Sequence, residues 1–598
     1  MLSKFLKFIF RSIYRLSAVL GFLLIIGVAG GFYILSQSSS KTIVQENTLL
    51  TLTLQDSYPD YVEESLLKRL LKGEENSLYD LITTLESAEK DPKIKGLVVV
   101  LRSTGLGLAQ LQELRDAILR FKKAGKSTLI YSDAYGEVDS ALMAYYLASA
   151  FDEIWMQPIG TVNISGISLE KPYARELLEK LGVTPEFGKR KEYKSFSEMY
   201  TNSEPSEAAK EADQAILDSI SSQVVETLAK SRKRMPQEVL QLIDNSPYTD
   251  LEARDLKLVD TLAHLHTLKP TLESRYGENQ PVHFMDFWVY GTTHPAEKVN
   301  PDQDHIALIF DSGAIISGDN DGLMSEGFIN STRTYHLFMD AIKNPHVKGI
   351  VYRINSPGGS PTASETISSV IHYAKTKGIP VVISMGDYAA SGGYWISAEG
   401  SKILASSFTL TGSIGVFMGK FVLKDLWEKI GVHWDGVSFG KNSNLASPNT
   451  PFTPEEWARM NTFLDRIYSA FVNKVATARK LSLEAAEKLA KGRVWTGEQA
   501  QSLGLVDQLG GLHDALIVAR KEAKLQVDAP LVIYPRKKGL LEILIEKLTH
   551  TPPEDEADSV EFSLRAPLQY WQAFTRLLVQ LRPLVNHETL EAPRLEVK

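Results

Sequence analysis

The sequence predicts an α/β protein made of one domain written twice in tandem and preceded by a single transmembrane helix. Three observations carry that expectation. Two long stretches match each other in order, each copy alternates short apolar runs with helical periods, and an uncharged run stands near the N-terminus. At 598 residues the chain also exceeds one hydrophobic core, since single cores stop growing near roughly 250–300 residues.

The N-terminal run comes first along the chain. Lys4, Lys7, Arg11 and Arg15 precede an uncharged stretch from Leu16 to Ser36. As a helix that stretch spans about 30 Å, the thickness of a bilayer's hydrocarbon core. Cations before it and none close behind place residues 1–15 in the cytoplasm and the rest of the chain across the membrane. The run exceeds the apolar region of a cleaved signal peptide, and Ser-Gln-Ser-Ser-Ser-Lys after it offers no Ala-x-Ala site, so residues 16–36 read as an uncleaved anchor.

The repeat follows. Asp91-Pro-Lys-Ile-Lys-Gly-Leu-Val aligns with Asn344-Pro-His-Val-Lys-Gly-Ile-Val, and Tyr145-Tyr-Leu-Ala-Ser-Ala with Tyr394-Trp-Ile-Ser-Ala-Glu. Leu181-Gly-Val matches Ile430-Gly-Val, while Thr249, Ala253, Leu256, Val259 and Asp260 answer Thr496, Ala500, Leu503, Val506 and Asp507. Preserved order with slight drift in spacing marks a duplicated ancestral domain. The first copy covers residues 37–300 and the second 301–536. In the second, Ile306–Phe310, Gly349–Ile354, Pro380–Met385 and Lys402–Ala405 read as strands, and Ala363–Lys377 as a helix with Ile367, Val370, Ile371 and Ala374 facing the core. Such βαβ units give a mostly parallel sheet whose strand C-termini are free for chemistry.

Residues 537–598 read as a helical extension. Gly539–Leu548 is an apolar helix candidate, Thr551-Pro-Pro-Glu-Asp-Glu-Ala-Asp an acidic linker, and Leu568, Trp571, Phe574, Leu578 and Leu581 fall on one helical stripe that suits packing against the body or a neighbouring subunit.

Composition narrows the chemistry. A net charge of -8 gives no general basic field for nucleic acid. The absence of cysteine removes disulfides, thiolate metal sites and thiol nucleophiles, and no metal or cofactor is expected.

Two glycine-rich loops at expected strand ends draw attention: Asn355-Ser-Pro-Gly-Gly-Ser and Ala389-Ala-Ser-Gly-Gly-Tyr-Trp. Paired glycines let backbone approach a substrate and aim amides at a developing oxyanion. Ser391 would open a helix there, either as a nucleophile or only as an N-cap. A serine nucleophile needs a base. His336, His346 and His372 belong to expected helices or a turn, outside the glycine-rich loops, and read as surface or core residues. Lysine serves if burial lowers its pKa from about 10.4 toward 7 or 8.

Comparison of the copies bears on that base. Ser391 falls opposite Leu142, with Gly392 and Gly393 opposite Met143 and Ala144, so the first copy lacks the nucleophile. Lys194 falls opposite Ser443, so the second copy lacks that lysine. A serine kept by one copy and a lysine by the other suggest one composite site. Lys441 as base, or Ser140 as nucleophile, stays open if a loop alignment slips. Lys189, Arg190 and Lys191 read as a solvated basic loop.

At these residues the chain resembles the long, duplicated form of the signal peptide peptidase A (protease IV) family, peptidase family S49. The resemblance rests on Tyr193-Lys194-Ser195, Asn355-Ser-Pro-Gly-Gly, Asp387-Tyr-Ala-Ala-Ser-Gly-Gly-Tyr-Trp and Thr411-Gly-Ser-Ile-Gly, and covers nearly all of the chain short of its tail. It implies a crotonase/Clp protease-like fold, a homotetramer in the cell inner membrane with its body in the periplasm, and degradation of cleaved signal peptides and other unfolded apolar peptides. It implies Ser391 and Lys194 as a Ser/Lys dyad, with Gly358, Gly359 and Gly392 as candidate oxyanion donors. A crotonase-type acyl-CoA enzyme would share the fold without needing the anchor or the Ser/Lys pair, and a non-catalytic scaffold would leave Ser391 unreactive.

Overall fold

The computed structural model describes residues 43–55, 57–63, 75–277, 280–293, 302–318 and 327–535. The expected anchor at 16–36 and the extension at 537–598 lie outside these residues. Among the described residues no helix is long and apolar enough to cross a membrane.

Two mostly parallel sheets carry the chain. The first orders its strands Thr261–Leu262, Glu153–Met156, Ser127–Ser132, Ile94–Leu101, Thr48–Leu54 and His283–Asp286, all neighbours parallel. The second repeats that order with Gln508–Leu509, Lys402–Ala405, Val381–Ala390, Val347–Ser356, His305–Ser312 and Leu531–Tyr534. Runs such as Leu97-Val-Val and Gly349-Ile-Val-Tyr are apolar without alternation because helices cover both sheet faces. The chain therefore has a mixed α/β fold with the unit present twice.

The duplication extends to single bonds. The Tyr145 hydroxyl donates to the Leu258 carbonyl and that of Tyr394 to the Leu505 carbonyl, each at 2.8 Å. Arg232 pairs with Asp260 at 2.9 Å, and Arg479 with Asp507 at 2.8 Å. The helices Glu207–Arg232 and Pro454–Arg479 are both 26 residues long, are capped by Ser206 and Thr453, and end on a left-handed lysine, Lys233 or Lys480.

The sequence underestimates the strand lengths that matter for the site. The expected strand Pro380–Met385 continues to Ala390, because after pairing with Lys402–Ala405 it picks up a second neighbour, Leu410–Gly412. The expected helix at 363–377 runs Pro361–Thr376, started by the Ser360 hydroxyl on the Ala363 amide.

The copies share structure. Phe408 of the second copy packs on Tyr146 in the core of the first. Arg353, buried in the second sheet, makes a two-pronged pair with Asp60 at 3.0 and 3.1 Å and reaches Glu113 at 2.7 Å, both from the first copy. The Asp387 carboxylate accepts from the Ala109 amide at the start of the first copy's helix Leu108–Lys123. Most consequential for the site, Thr184–Arg190 of the first copy pairs antiparallel with Val416–Val422 of the second.

That pairing corrects the reading of the basic run. Lys189 and Arg190 are the end of a strand rather than a loop, and the run is ion-paired, with Lys191 still exposed: Lys189 to Glu198, Arg190 to Asp465 and Lys191 to Glu487, each at 2.6 Å.

Candidate active site

Ser391 sits where the long strand Val381–Ala390 gives way to the six-residue helix Gly392–Ser397. Its backbone is held at φ 55 and ψ -118, a conformation that costs a non-glycine residue about 1–3 kcal/mol and persists only when neighbours over-determine it. The Ser391 amide donates to the Gly412 carbonyl at 2.9 Å, and its carbonyl accepts from Trp395 at 2.9 Å. These bonds push the side chain out of the sheet end.

Lys194 arrives from the first copy. The strand Thr184–Arg190 runs along Val416–Val422, and the chain then turns over Gly492. A Cβ on Gly492 would lie 2.5 Å from the Lys194 nitrogen, and Gly492 has φ +84, so glycine is required for the approach. The Lys194 side chain is buried, with its Nζ 3.1 Å from Ser391 Oγ, 3.1 Å from the Ser413 carbonyl oxygen and 2.9 Å from Ser413 Oγ. Among the described residues no carboxylate is bonded to it. Burial alone lowers its pKa to about 7. A neutral amine has two N–H donors and one lone pair. With both oxygens of Ser413 accepting, the lone pair is left for the Ser391 hydroxyl.

The Asn355-Ser-Pro-Gly-Gly loop closes over this pair. Gly358 has φ +112, and a Cβ there would lie 2.7 Å from Ser391 Cβ. The Gly358 amide already donates to Ser356 Oγ at 3.1 Å. The Gly359 and Gly392 amides carry no such bond among the described residues, and a Cβ built on Gly392 would lie 3.1 Å from the Gly359 nitrogen. Two free N–H groups thus flank the serine.

A cleft of about 1190 Å³ opens onto Ser391 and Lys194, with Phe196, Met199, Trp395, Phe417, Met418 and Phe471 on its walls. The other sequence candidates stand apart. Ser140 donates to the Gly166 carbonyl, and Lys441 is exposed on the segment after Gly431. His372 pairs with Glu399 and His346 with Asp304, and His336 is exposed. None of these touches Ser391 among the described residues.

Comparison with known proteins decides the family. The model of peptidase family S49 matches twice, over residues 120–277 and 373–526. The protein named Protease 4 of Salmonella typhi is 34% identical over 507 residues, covering 83% of this chain and 80% of that protein. The chain belongs to peptidase family S49. Protease 4 of Haemophilus influenzae is 33% identical over 482 residues, covering 78% of this chain and 75% of that protein. The chloroplastic serine protease SPPA of Arabidopsis thaliana is 28% identical over 501 residues, covering 82% and 71%. As an S49 member the chain is a serine protease, a hydrolase. Lys194 lies in the first S49 match and Ser391 in the second.

Sequence reasoning missed three parts of this S49 site. Ser413, which holds the lysine, stands inside the quoted Thr411-Gly-Ser-Ile-Gly motif, but its role comes from a contact with Lys194 more than two hundred residues away, which no local pattern reveals. Gly492 matters only through a contact with residue 194, which no local pattern reveals. Ser356 engages one of the three candidate amides. The unmatched serine in a paired-glycine motif was the signal available for Ser413.

Proposed function

We propose that the protein is a membrane-anchored endopeptidase in which Ser391 and Lys194 form a Ser/Lys dyad, and that it degrades cleaved signal peptides and other unfolded apolar peptides on the periplasmic side of the cell inner membrane. One observation carries the reading: a buried lysine with a pKa of about 7 has its amine 3.1 Å from the hydroxyl of a backbone-strained serine.

The chemistry is acyl transfer. Neutral Lys194 takes the Ser391 proton as Oγ bonds to the scissile carbonyl carbon. The oxygen gains the electron pair and is held by the Gly359 and Gly392 amides, while Gly358 shapes the loop without donating. The Lys194 ammonium returns its proton to the leaving amine as the peptide bond breaks. Lys194 then deprotonates a water that attacks the acyl ester, and Ser391 recovers its proton as the acid departs. A cleft with aromatic and methionine walls suits apolar, extended peptides.

The wider setting belongs to the same proposal. The two sheets are of crotonase/Clp protease-like type, residues 16–36 anchor the chain, and the protein works as a homotetramer, as the resemblance of its motifs implies.

The test labels the purified full chain with a fluorophosphonate probe and follows cleavage of an apolar peptide, in wild type, Ser391→Ala, Lys194→Ala and Lys441→Ala. Labelling and cleavage lost with the first two changes and kept with the third are the expected result. Loss with Lys441→Ala alone would move the base into the second copy. A wild type that neither labels nor cleaves would sink the dyad.

A further inference from the structure

The turn that carries Lys194 belongs to the first copy, and the second copy ties it down residue by residue. Lys191 pairs with Glu487 at 2.6 Å, Glu192 with Lys491 at 2.8 Å, and the Tyr193 amide donates to the Lys491 carbonyl at 3.1 Å. The guanidinium of Arg493 lies over the Tyr193 ring, 4.9 Å from its centroid, and over the Trp495 ring at 4.4 Å. Its two terminal nitrogens fork onto the Glu211 carboxylate at 2.6 and 2.7 Å.

These ties differ in weight. The side chains of the Lys191 and Glu192 pairs are 30–46% exposed, and ion pairs left that far in water hold geometry weakly. The Arg493 side chain is 14% exposed. A charge-assisted fork on a flat group stacked against aromatic rings fixes direction as well as distance. Arg493 is therefore the tie that sets where Tyr193 stands.

The backbone of the same residue works on the other side of the lysine. The Arg493 carbonyl accepts from the Ser413 amide at 2.7 Å, and Ser413 supplies the two oxygens that receive the Lys194 amine. The next rung pairs Val494 with Gly412, whose carbonyl holds the Ser391 amide. One residue thus reaches the neighbour of the base through its side chain and the acceptor of the base through its backbone.

The duplication offers an internal control. Carried across the repeat, Arg493 falls opposite Ser246, Glu211 opposite Ala458 and Tyr193 opposite Asn442. The pairs Arg232–Asp260 and Arg479–Asp507, by contrast, stand in both copies. The shared fold therefore forms without the Arg493 clamp, which is present once, at the composite site.

We propose that Arg493 is a positioning residue for peptide cleavage: stacked on Tyr193 and forked onto Glu211, it holds the Lys194 turn against Ser413, so that the lysine amine stays shielded from water and aimed at Ser391. The role rests on the Ser/Lys reading above. Arg493 does not line the cleft, so it acts through the base and not through the substrate. Loosening the turn admits water to the amine and restores part of its ordinary basicity.

The test compares full-length wild type, Arg493→Met, Arg493→Lys and Glu211→Ala from pH 5 to 9, by cleavage of an apolar peptide and by the rate constant and final extent of fluorophosphonate labelling. Arg493→Met is expected to lower kcat about 10–100-fold with KM within about twofold of wild type. The acid limb of both profiles is expected to move from about 7 toward about 8, while the final extent of labelling stays that of wild type. Arg493→Lys keeps the charge without the fork or the flat stack and is expected to behave like Arg493→Met. Glu211→Ala removes a carboxylate that is 53% exposed, moves both readouts the same way, and serves should the Arg493 variants fail to fold. A labelled fraction that falls while the rate constant and its pH midpoint keep wild-type values would reduce Arg493 to a support of the fold and overturn the proposal, as would wild-type kinetics throughout. Lys194→Ala run alongside keeps the two readings apart. Activity that survives it sinks the dyad and this role together, whereas activity that it abolishes and Arg493→Met leaves untouched sinks this role alone.

Discussion

Lys194 Nζ stands 3.1 Å from Ser391 Oγ across 197 positions of sequence, and the contact joins the two copies of the duplicated unit. With a lysine pKa of about 7, brought down by burial, the base is protonated below that pH and free above it. The rate of peptide cleavage is therefore expected to rise with pH through an apparent pKa near 7 and then level. Initial rates from pH 5 to 9 check this. Lys194→Arg removes the rise and lowers kcat/KM by about 10²–10⁴-fold, since a guanidinium never gives up its proton in this range.

Ser413 receives the two N–H groups of the neutral amine. Removing its hydroxyl leaves one N–H without an acceptor and takes away an oxygen that also favours the ammonium form. Ser413→Ala is expected to lower kcat about tenfold and to move the acid limb of the pH profile to lower pH. A profile that keeps its shape and height would show that the carbonyl of Ser413 suffices.

Much of this arrangement was legible in the sequence, and the limits are physical. Ser391 and the paired glycines stood out because strand-end loops tolerate such composition for few reasons, and strands of the second copy followed from apolar runs such as those at Ile306, Gly349 and Lys402, though their order in the sheet did not. The lysine could be nominated because the copies differ at 194 and 443. Its delivery could not, because Thr184–Arg190 has too little alternation to read as a strand and earns its geometry from a partner more than two hundred residues away. The same non-local pairing turned a run expected to be solvated, Lys189 to Lys191, into three ion pairs.

Gly492 carries the lysine's backbone at contact distance. Gly492→Ala puts a methyl 2.6 Å from Lys194 Cβ and strains a left-handed residue, so the turn must shift. A displacement of about 1 Å at a catalytic group costs roughly 10²-fold. The expected outcome is that loss of cleavage with an unchanged melting curve to within a few degrees, read by parallel kinetics and circular dichroism.

The Arg353–Asp60 pair lies buried between the copies, two-pronged and within reach of Glu113. Removing Arg353 leaves two buried carboxyl groups, Asp60 and Glu113, without their cation, and removing Asp60 takes away the two-pronged partner of Arg353; breaking a buried pair costs about 3–5 kcal/mol. Asp60→Ala and Arg353→Ala should each lower the denaturant midpoint by a corresponding amount. The double variant should lose less than the two single losses combined, since Asp60 is no longer left without its cation and only Glu113 is. Additive losses would mean that the two residues act independently.

Burying Lys194 also taxes stability, with a sign that can be checked. The folded pKa of about 7 lies below the unfolded value of about 10.4, so the unfolded chain binds more protons between them. Below pH 7 both states are protonated and the folded state bears the full cost of a buried ammonium, on the order of 5 kcal/mol from a shift of that size. Above pH 10.4 both are neutral and the cost is gone. Lys194→Met, which fills the same space without charge, is therefore expected to be more stable than wild type at pH 6, with the advantage shrinking steadily as pH rises from 7 toward 10. Urea midpoints of both proteins at pH 6, 8 and 9.5 measure it. An advantage that stays constant with pH would mean that the lysine keeps an ordinary pKa in the folded protein and could not act as a neutral base.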